Sequence, residues 1–376
     1  MSSSELCKRV RENLKLKSMK AIHQFTAGFT KGDAISNETL VMRALFRSWG
    51  YDAHVFCEPH RVLPQLRAQT CDAALAEKMI RPDDLAILHL SIGSAVNDIF
   101  AALNCRRAII YHNMTPAGYF RGIQEQIARD LEWGRQQTAN LAGAAEVVMA
   151  VSRFNAEELE SLGYRSVQVL PLLLDFSTLK SRPDRAVLRR FADGKTNVLF
   201  VGRGVPNKRI EDLLCAFHYF QKTVEPNSRL IHVGSYTGLE RYQALVQALA
   251  RRLGIQNDVF AGSVSQSELN AFYESSHLFL CMSEHEGFCI PLIESMVHDL
   301  PVLAYAAAAV PETLNGAGVL FREKHWDNIA EMMGETLQNT GLRAKIIAGQ
   351  QERLRRYESR NLDKELKSFL APLLPN

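Results

Sequence analysis

The stretch HLFLCMSEHEGFCIPLIESM, residues 277–296, decides the fold. It opens on an apolar run of the length of one buried strand. Acids and a glycine follow, and Ile290-Pro291 then begins a segment with Leu292, Ile293 and Met296 at helical spacing. Proline suits the first helical turn, where its missing N–H has no intrahelical acceptor in any case. A strand that passes through a glycine turn directly into a helix is half of a βαβ unit. Repetition of such units builds a parallel sheet with helices on both faces.

The pattern recurs on both sides. Upstream and downstream lie NVLFVG (197–202), RLIHVGS (229–235), DVFAGS (258–263), LPVLAYA (300–306) and AGVLF (317–321). An earlier series comprises KAIHQF (20–25), YDAHVFC (51–57), LAILHLS (85–91), RAIIYHN (107–113) and AEVVMAV (145–151). After the first of these, a helix is predicted with Leu40, Leu45, Phe46 and Trp49 on its apolar faces. Residues 175–196, charged and without apolar alternation, read as a linker. The chain is therefore expected to form two doubly wound α/β halves, 1–180 and 181–355. Residues 356–376 would be a terminal helix that closes the second half or crosses back to the first.

Composition agrees with this reading. The 376 residues are 47% apolar and 23% charged, which is ordinary for globular domains, and the length suits two of them. A net charge of +3 argues against a dedicated nucleic-acid binder. No run of 18 apolar residues exists, and the first 20 residues lack the apolar core of a secretory signal. The seven cysteines include no C-x-x-C pair, so reduced cytoplasmic thiols are expected in place of a disulfide framework or zinc site.

Ligands of open α/β sheets bind beyond the carboxyl ends of the strands. After NVLFVG the turn Arg203-Gly204-Val205-Pro206-Asn207-Lys208-Arg209 carries three cations ahead of a helix from about Ile210. Arg203 and Lys208 are placed to reach an anion held over the helix N-terminus. In 277–296, Gly287 lets backbone approach a ligand closely, and Glu294, one turn into the helix, suits the two hydroxyls of a ribose. Taken singly, Glu286 and Glu294 read as surface acids. Placed together around a strand–glycine–helix turn, they do not.

These residues carry a resemblance. EGFCIPLIE resembles the E-G-F-G-x-P-x-x-E signature of the family-4 retaining glycosyltransferases, also called glycosyl transferases group 1. VGRGVPNKRIEDLL resembles the segment that opens their second domain, and the pattern runs on through LPVLAYAAAAVPETL. In the first half, FTKGDAISNETLVMRALFRSWGYDAHVF and IIYHNMTPAGYF are similar more loosely. The resemblance implies the GT-B fold, two facing Rossmann-like doubly wound parallel-sheet domains. It implies that Arg203 and Lys208 hold the diphosphate of a nucleotide sugar and that Glu294 binds its ribose. Glu286 would face the donor sugar, the backbone of Gly287, Phe288, Cys289 and Ile290 would line it, and Val264 would contact the base. In the first domain, Gly28, Gly32 and Asp33 would lie in a phosphate-approaching loop, and His112 would face the reaction centre. His23 and His89 are expected to be fold residues, and Glu284 a solvated neighbour of Glu286. Cys289 replaces the family's common glycine and Ser295 its common alanine.

The implied reaction is a retaining hexosyl transfer, mannosyl among the candidates, from a GDP- or UDP-sugar to a saccharide or lipid-linked acceptor in surface polysaccharide or glycolipid biosynthesis. No D-x-D triplet occurs, so metal-independent catalysis without a cofactor is expected. The rivals are a catalytically silent subunit and a nucleotide-sugar epimerase. A dinucleotide-dependent oxidoreductase fits poorly, because the first β–α loop lacks G-x-G-x-x-G. The first 20 residues carry six Lys/Arg and two acids, with Leu6, Val10 and Leu14 at i,i+4 spacing. Such a basic amphipathic segment would allow peripheral contact with the cytoplasmic membrane face.

Overall fold

In the computed structural model, which describes residues 21–30 and 32–374, the strands form two all-parallel sheets. The first contains β1 (Ile22–Thr26), β2 (Val55–Cys57), β3 (Cys71–Asp72), β4 (Leu85–Leu90), β5 (Arg106–Tyr111), β6 (Val147–Ala150) and β7 (Gln168–Val169), in the order β3-β2-β1-β4-β5-β6-β7. The second contains β8 (Thr196–Val201), β9 (Ser228–Val233), β10 (Asp258–Gly262), β11 (Leu278–Cys281), β12 (Val302–Tyr305) and β13 (Val319–Phe321), in the order β10-β9-β8-β11-β12-β13. Central strands such as β4 and β11 are buried along their whole length, as helices on both faces require. The edge strands β3 and β7, two residues each, were not anticipated. The first helix, Ala34–Ser48, buries Met42 and Phe46, whereas Leu40 is exposed.

Each sheet reverses its strand order once, between β1 and β4 and between β8 and β11. At such a point the connections leave in opposite directions and open a crevice at the carboxyl ends. The residues after β1, β4, β8 and β11 therefore border the two crevices.

The presumed linker is not bare. Asp175 and Asp184 cap two short helices, Phe176–Leu179 and Arg185–Phe191. The second packs on the second domain: Asp184 N–H donates to the Ser267 carbonyl at 2.8 Å, and the Phe191 and Phe272 rings lie 5.3 Å apart. A helix of one or two turns offers too short a period to be read from apolar spacing.

Helix Thr340–Glu358 packs against Ile290–Val297 of the second domain, and helix Leu362–Leu370 then lies on the first. Arg360 makes the crossing, its guanidinium donating to the Leu172 and Pro171 carbonyls at 3.0 and 2.9 Å. Trp49 Nε1 donates to Asp363, and Arg106 to the Leu373 carbonyl. No helix of the described residues is long and apolar enough to cross a membrane. The basic segment 1–20 lies outside the described residues.

Candidate active site

Two loops of the second crevice are knitted together by Asn207. Its side chain donates to the His285 carbonyl at 2.9 Å, and its own carbonyl accepts from Glu284 N–H at 2.9 Å. The turn after β8 is thereby held against the turn after β11. Lys208 ends a single 3₁₀ turn, Pro206–Lys208, and its Nζ lies 2.5 Å from Glu286 Oε1. Burial alone would pull the Lys208 ammonium down, but the Glu286 carboxylate beside it reverses the sign and the pKa ends above the usual lysine value. Arg203 is exposed and, among the described residues, its side chain makes no hydrogen bond or ion pair. Arg209 is committed elsewhere, to Asp212, Glu211 and Glu284.

The second loop is shaped by two backbone features. Gly287 lies so close to the first domain that a Cβ there would sit 2.4 Å from the His112 carbonyl oxygen and 2.7 Å from Asn113 Cβ. Cys289 adopts φ +72°, the left-handed region that disfavours side chains, and caps helix Ile290–Val297. The family's common glycine answers to this geometry. The backbone N–H groups of Gly287, Phe288 and Cys289 donate to no acceptor among the described residues. Together with the helix dipole they form a cradle for oxygen or negative charge.

Glu294 is buried one turn into that helix and accepts a hydrogen bond from Tyr273 OH at 2.7 Å. Burial raises its carboxyl to about 7, with the Tyr273 bond opposing. Nothing in the sequence singled out Tyr273. Val264 lies half-buried between β10 and the capping-box helix Gln266–Glu274. Cys281 and Cys289 are both buried, and their Sγ atoms and a Glu286 oxygen lie within 4.8 Å of one another. That set, and Glu38 with His89 and His112, consist of metal-ligand residue types. In the first, Glu286 is already paired with Lys208; in the second, the two imidazoles already bond each other.

The first domain closes the site from above. Asn113, at φ +105°, accepts from or donates to both sides: its Oδ1 lies 2.7 Å from His285 Nε2, and its Nδ2 donates to Asn155 at 2.9 Å. Asn155 Nδ2 reaches the Gly287 carbonyl at 3.4 Å. Glu284 is not a solvated neighbour. It accepts from Tyr119 OH of the first domain at 3.1 Å and from Lys324 at 2.7 Å. The Glu312 carboxylate caps helix Arg153–Ser161 across the domains, both oxygens 2.8 Å from Arg153 N.

The loop after β1 serves local structure at two of the three expected positions. Gly28 packs on the Arg61 carbonyl, and Asp33 is the N-cap of helix Ala34–Ser48, accepting from Ser36 N–H at 2.9 Å. Gly32, at φ +75°, meets nothing within 4 Å of a built Cβ. His112 follows β5 and is nearly buried, its Nε2 2.9 Å from His89 Nδ1. His89, expected to be a fold residue, is thus tied to the site.

Glu38 and Glu294 bear on stability. Both are buried and raised to about 7, so between pH ~4.5 and ~7 the folded chain keeps protons that the unfolded chain releases. Stability is expected to fall as pH rises through this window, by an order of ~3 kcal/mol per group. Thermal unfolding of the ligand-free protein from pH 4.5 to 8 checks this. Glu38→Gln and Glu294→Gln should each flatten the fall.

Residues 185–353 match the family described as glycosyl transferases group 1. The O-antigen chain mannosyltransferase B of Escherichia coli is 25% identical over 208 residues, covering 53% of this chain and 54% of that protein. The GDP-mannose:cellobiosyl-diphosphopolyprenol alpha-mannosyltransferase of Xanthomonas oryzae pv. oryzae is 35% identical over 113 residues, 30% of this chain and 29% of that protein. The chain thus spans about half, or less, of the length of these relatives. Among solved structures, a sucrose-phosphate synthase from Thermosynechococcus elongatus superposes with a TM-score of 0.73 at 16% identity, over 94% of this chain and 99% of that one. Anabaena HepE in complex with UDP and glucose gives 0.71 at 16% identity, over 94% and 100%. At such identities the structural likeness establishes a shared fold.

Proposed function

We propose that this chain is a retaining, metal-independent glycosyltransferase that moves a hexosyl group from a nucleoside diphosphate sugar to a saccharide or lipid-linked saccharide, a reading supported by the match of residues 185–353 to the glycosyl transferases group 1 and by the GT-B fold. One observation carries the reading. At the β8/β11 crevice, Lys208 of one loop pairs with Glu286 of the other, the Glu286 loop also carries three unpaired backbone N–H groups, and the Lys208 loop carries the exposed Arg203.

Each feature has a task in such a transfer. As the glycosidic bond breaks, negative charge grows on the departing diphosphate and positive charge on the anomeric carbon. Arg203 and Lys208 stabilise the diphosphate increasingly as it leaves, and preorganised donors of this kind contribute ~10²–10³ in kcat each. Glu286 orients Lys208 and faces the sugar. The N–H groups of Gly287, Phe288 and Cys289, ahead of Ile290, hold sugar oxygens, Glu294 takes the ribose hydroxyls, and the backbone at Val264 lies along the base. The first-domain turn through Gly28, Gly32 and Asp33 approaches the phosphates from the other side. No carboxylate is assigned as a nucleophile on the far face of the sugar, so front-face transfer with the leaving phosphate as base is the favoured route to retention.

GDP-mannose is the first donor to test, supported by relatives named as mannosyltransferases, and a diphosphopolyprenol-linked saccharide is the first acceptor. UDP-sugars form the comparison arm. Transfer is read as product mass, and its anomeric configuration by NMR. Donor turnover to an epimer without transfer, or no turnover across the panel, would replace this reading with one of its rivals.

A pH dependence follows from Glu294. To accept from two ribose hydroxyls the carboxyl must be ionised, yet in the ligand-free protein it sits at about 7. GDP affinity should rise with pH from 6 to 8, losing roughly tenfold per unit well below 7. Glu294→Gln should remove that component while the titration of the nucleotide's own phosphate persists in both proteins. Calorimetric titration at several pH values checks it; parallel curves for the two proteins would sink the ribose assignment.

A further inference from the structure

Beneath the crevice of the first domain, three side chains form one directed chain of hydrogen bonds. It begins at the Thr39 carbonyl, in helix Ala34–Ser48, which is able only to accept. Gln24 Nε2, on β1, donates to it at 3.0 Å. The amide is thereby oriented, and its Oε1 faces His89 Nε2 at 2.9 Å. An amide oxygen accepts only, so His89 carries its proton on Nε2. His89 is fully buried, and burial holds its pKa near 3, so the ring is neutral and its Nδ1 is a bare acceptor. That Nδ1 lies 2.9 Å from His112 Nε2, which must therefore be the N–H.

The last ring follows by elimination. Burial and the neighbouring His89 keep His112 neutral, so a proton on Nε2 leaves Nδ1 with a free lone pair. Among the described residues Nδ1 has no hydrogen-bond partner, and it is not among the atoms sealed from solvent. The rings of His89 and His112 are stacked, with centroids 5.1 Å apart. Glu38 supports the same arrangement. One of its oxygens accepts from Leu173 N–H at 3.0 Å, and the other, which has no partner, lies 3.5 Å from His112 Nε2 and 3.9 Å from His89 Nδ1. When Glu38 is ionised, above about pH 7, this oxygen is a second acceptor facing the same N–H. The pieces come together through the β1/β4 reversal point, where Thr26 pairs with His89.

We propose that Gln24 and His89 are positioning residues that fix His112 in the Nε2–H tautomer, so that its Nδ1 accepts a hydrogen bond from a hydroxyl of the bound sugar. This rests on the sugar-transfer reading above. The consequence is a directional preference: the site favours a group with a proton to donate at that position and disfavours an ether, a deoxy carbon or a carbonyl. Gly287, packed on the His112 carbonyl, sets the sugar-binding loop of the second domain directly opposite.

The test begins with the wild-type protein labelled with ¹⁵N-histidine. Long-range ¹H–¹⁵N correlation spectra distinguish protonated from bare ring nitrogens without any need for turnover. His89 and His112 are each expected to show Nε2 protonated and Nδ1 bare. A His112 signal with the proton on Nδ1, or averaged between the two nitrogens, overturns the proposal. In Gln24→Leu, the His112 pattern should shift toward averaging and kcat/KM should fall tenfold or more, chiefly through kcat. His89→Leu should do the same, whereas His89→Gln, whose amide oxygen and nitrogen reproduce the acceptor and the donor, should restore both to within a few-fold of wild type. An unchanged spectrum and unchanged kcat/KM in Gln24→Leu would overturn the positioning role. Absence of transfer in a wild-type protein that shows the expected tautomer counts against the functional reading instead, which keeps the two failures apart.

Discussion

Lys208→Met is expected to lower kcat by about 10²–10³-fold while changing donor KM far less. The ammonium sits at the end of a 3₁₀ turn, held 2.5 Å from Glu286 by the Asn207 bonds that join the two loops. On the proposed reading its charge is aimed before the donor arrives, and its interaction with the diphosphate would strengthen as the leaving group develops charge. A contact stronger in the transition state than in the ground state appears in kcat. The same substitution has a second effect. Glu286 is 8% exposed, and removal of its partner strands a carboxylate. For a fully buried pair the loss is about 3–5 kcal/mol. The Lys208 side chain is 19% exposed, so a smaller loss is expected here. The double variant Lys208→Met, Glu286→Gln should recover most of the melting temperature and none of the turnover. Steady-state kinetics beside thermal unfolding separate the two effects, and wild-type kcat in Lys208→Met would remove the residue from the mechanism.

Gly287→Ala is the second large effect, and it acts through the contact between domains. The added methyl would lie 2.4 Å from the His112 carbonyl oxygen and 2.7 Å from Asn113 Cβ. The first is a backbone atom next to a strand end, and Asn113 is held at φ +105° by His285 and Asn155. Neither neighbour has a flexible end to swing aside, so the domains must separate or the loop must shift. A displacement of about 1 Å costs ~10²-fold in a reaction that depends on alignment. We expect kcat to fall by that order. Each domain's core is untouched, so the melting temperature should change little, and small-angle scattering with GDP bound should show a larger radius of gyration than wild type. Gly349→Ala is the control. It lies in helix Thr340–Glu358 with nothing within 4 Å of its Cβ, and alanine there should stabilise by up to about 1 kcal/mol without altering turnover.

The sequence alone was enough for the architecture because buried parallel strands are continuous apolar runs and each ends in a polar or glycine turn. The runs 85–91, 197–202 and 277–283 all became central strands, and Ile210 and Ile290 did begin helices. What escaped were elements without such a signal: the two-residue edges β3 and β7, and the short helices 176–179 and 185–191, whose only markers are Asp175 and Asp184. The crossing of the last helix turned on Arg360, whose carbonyl partners lie almost 190 residues away.

The site divides along the same line. Arg203, Lys208, Glu286 and Glu294 could be singled out as candidates because a strand–turn–helix junction leaves only a few residues free to face a ligand, and the fold brings Lys208 and Glu286 together. Their partners were not legible. Asn207, Tyr273, His285, Gln24, His89 and Glu38 are ordinary residues in sequence, and their roles arise from neighbours brought across sheet reversal points or across the domain boundary. The sequence determined which groups stand at the strand ends, because local periodicity and turn chemistry act over a few residues. Only the tertiary structure decided their protonation, tautomer and orientation, because hydrogen bonds and burial depend on distance in space, and residues 24, 89 and 112 meet only once the first sheet has closed.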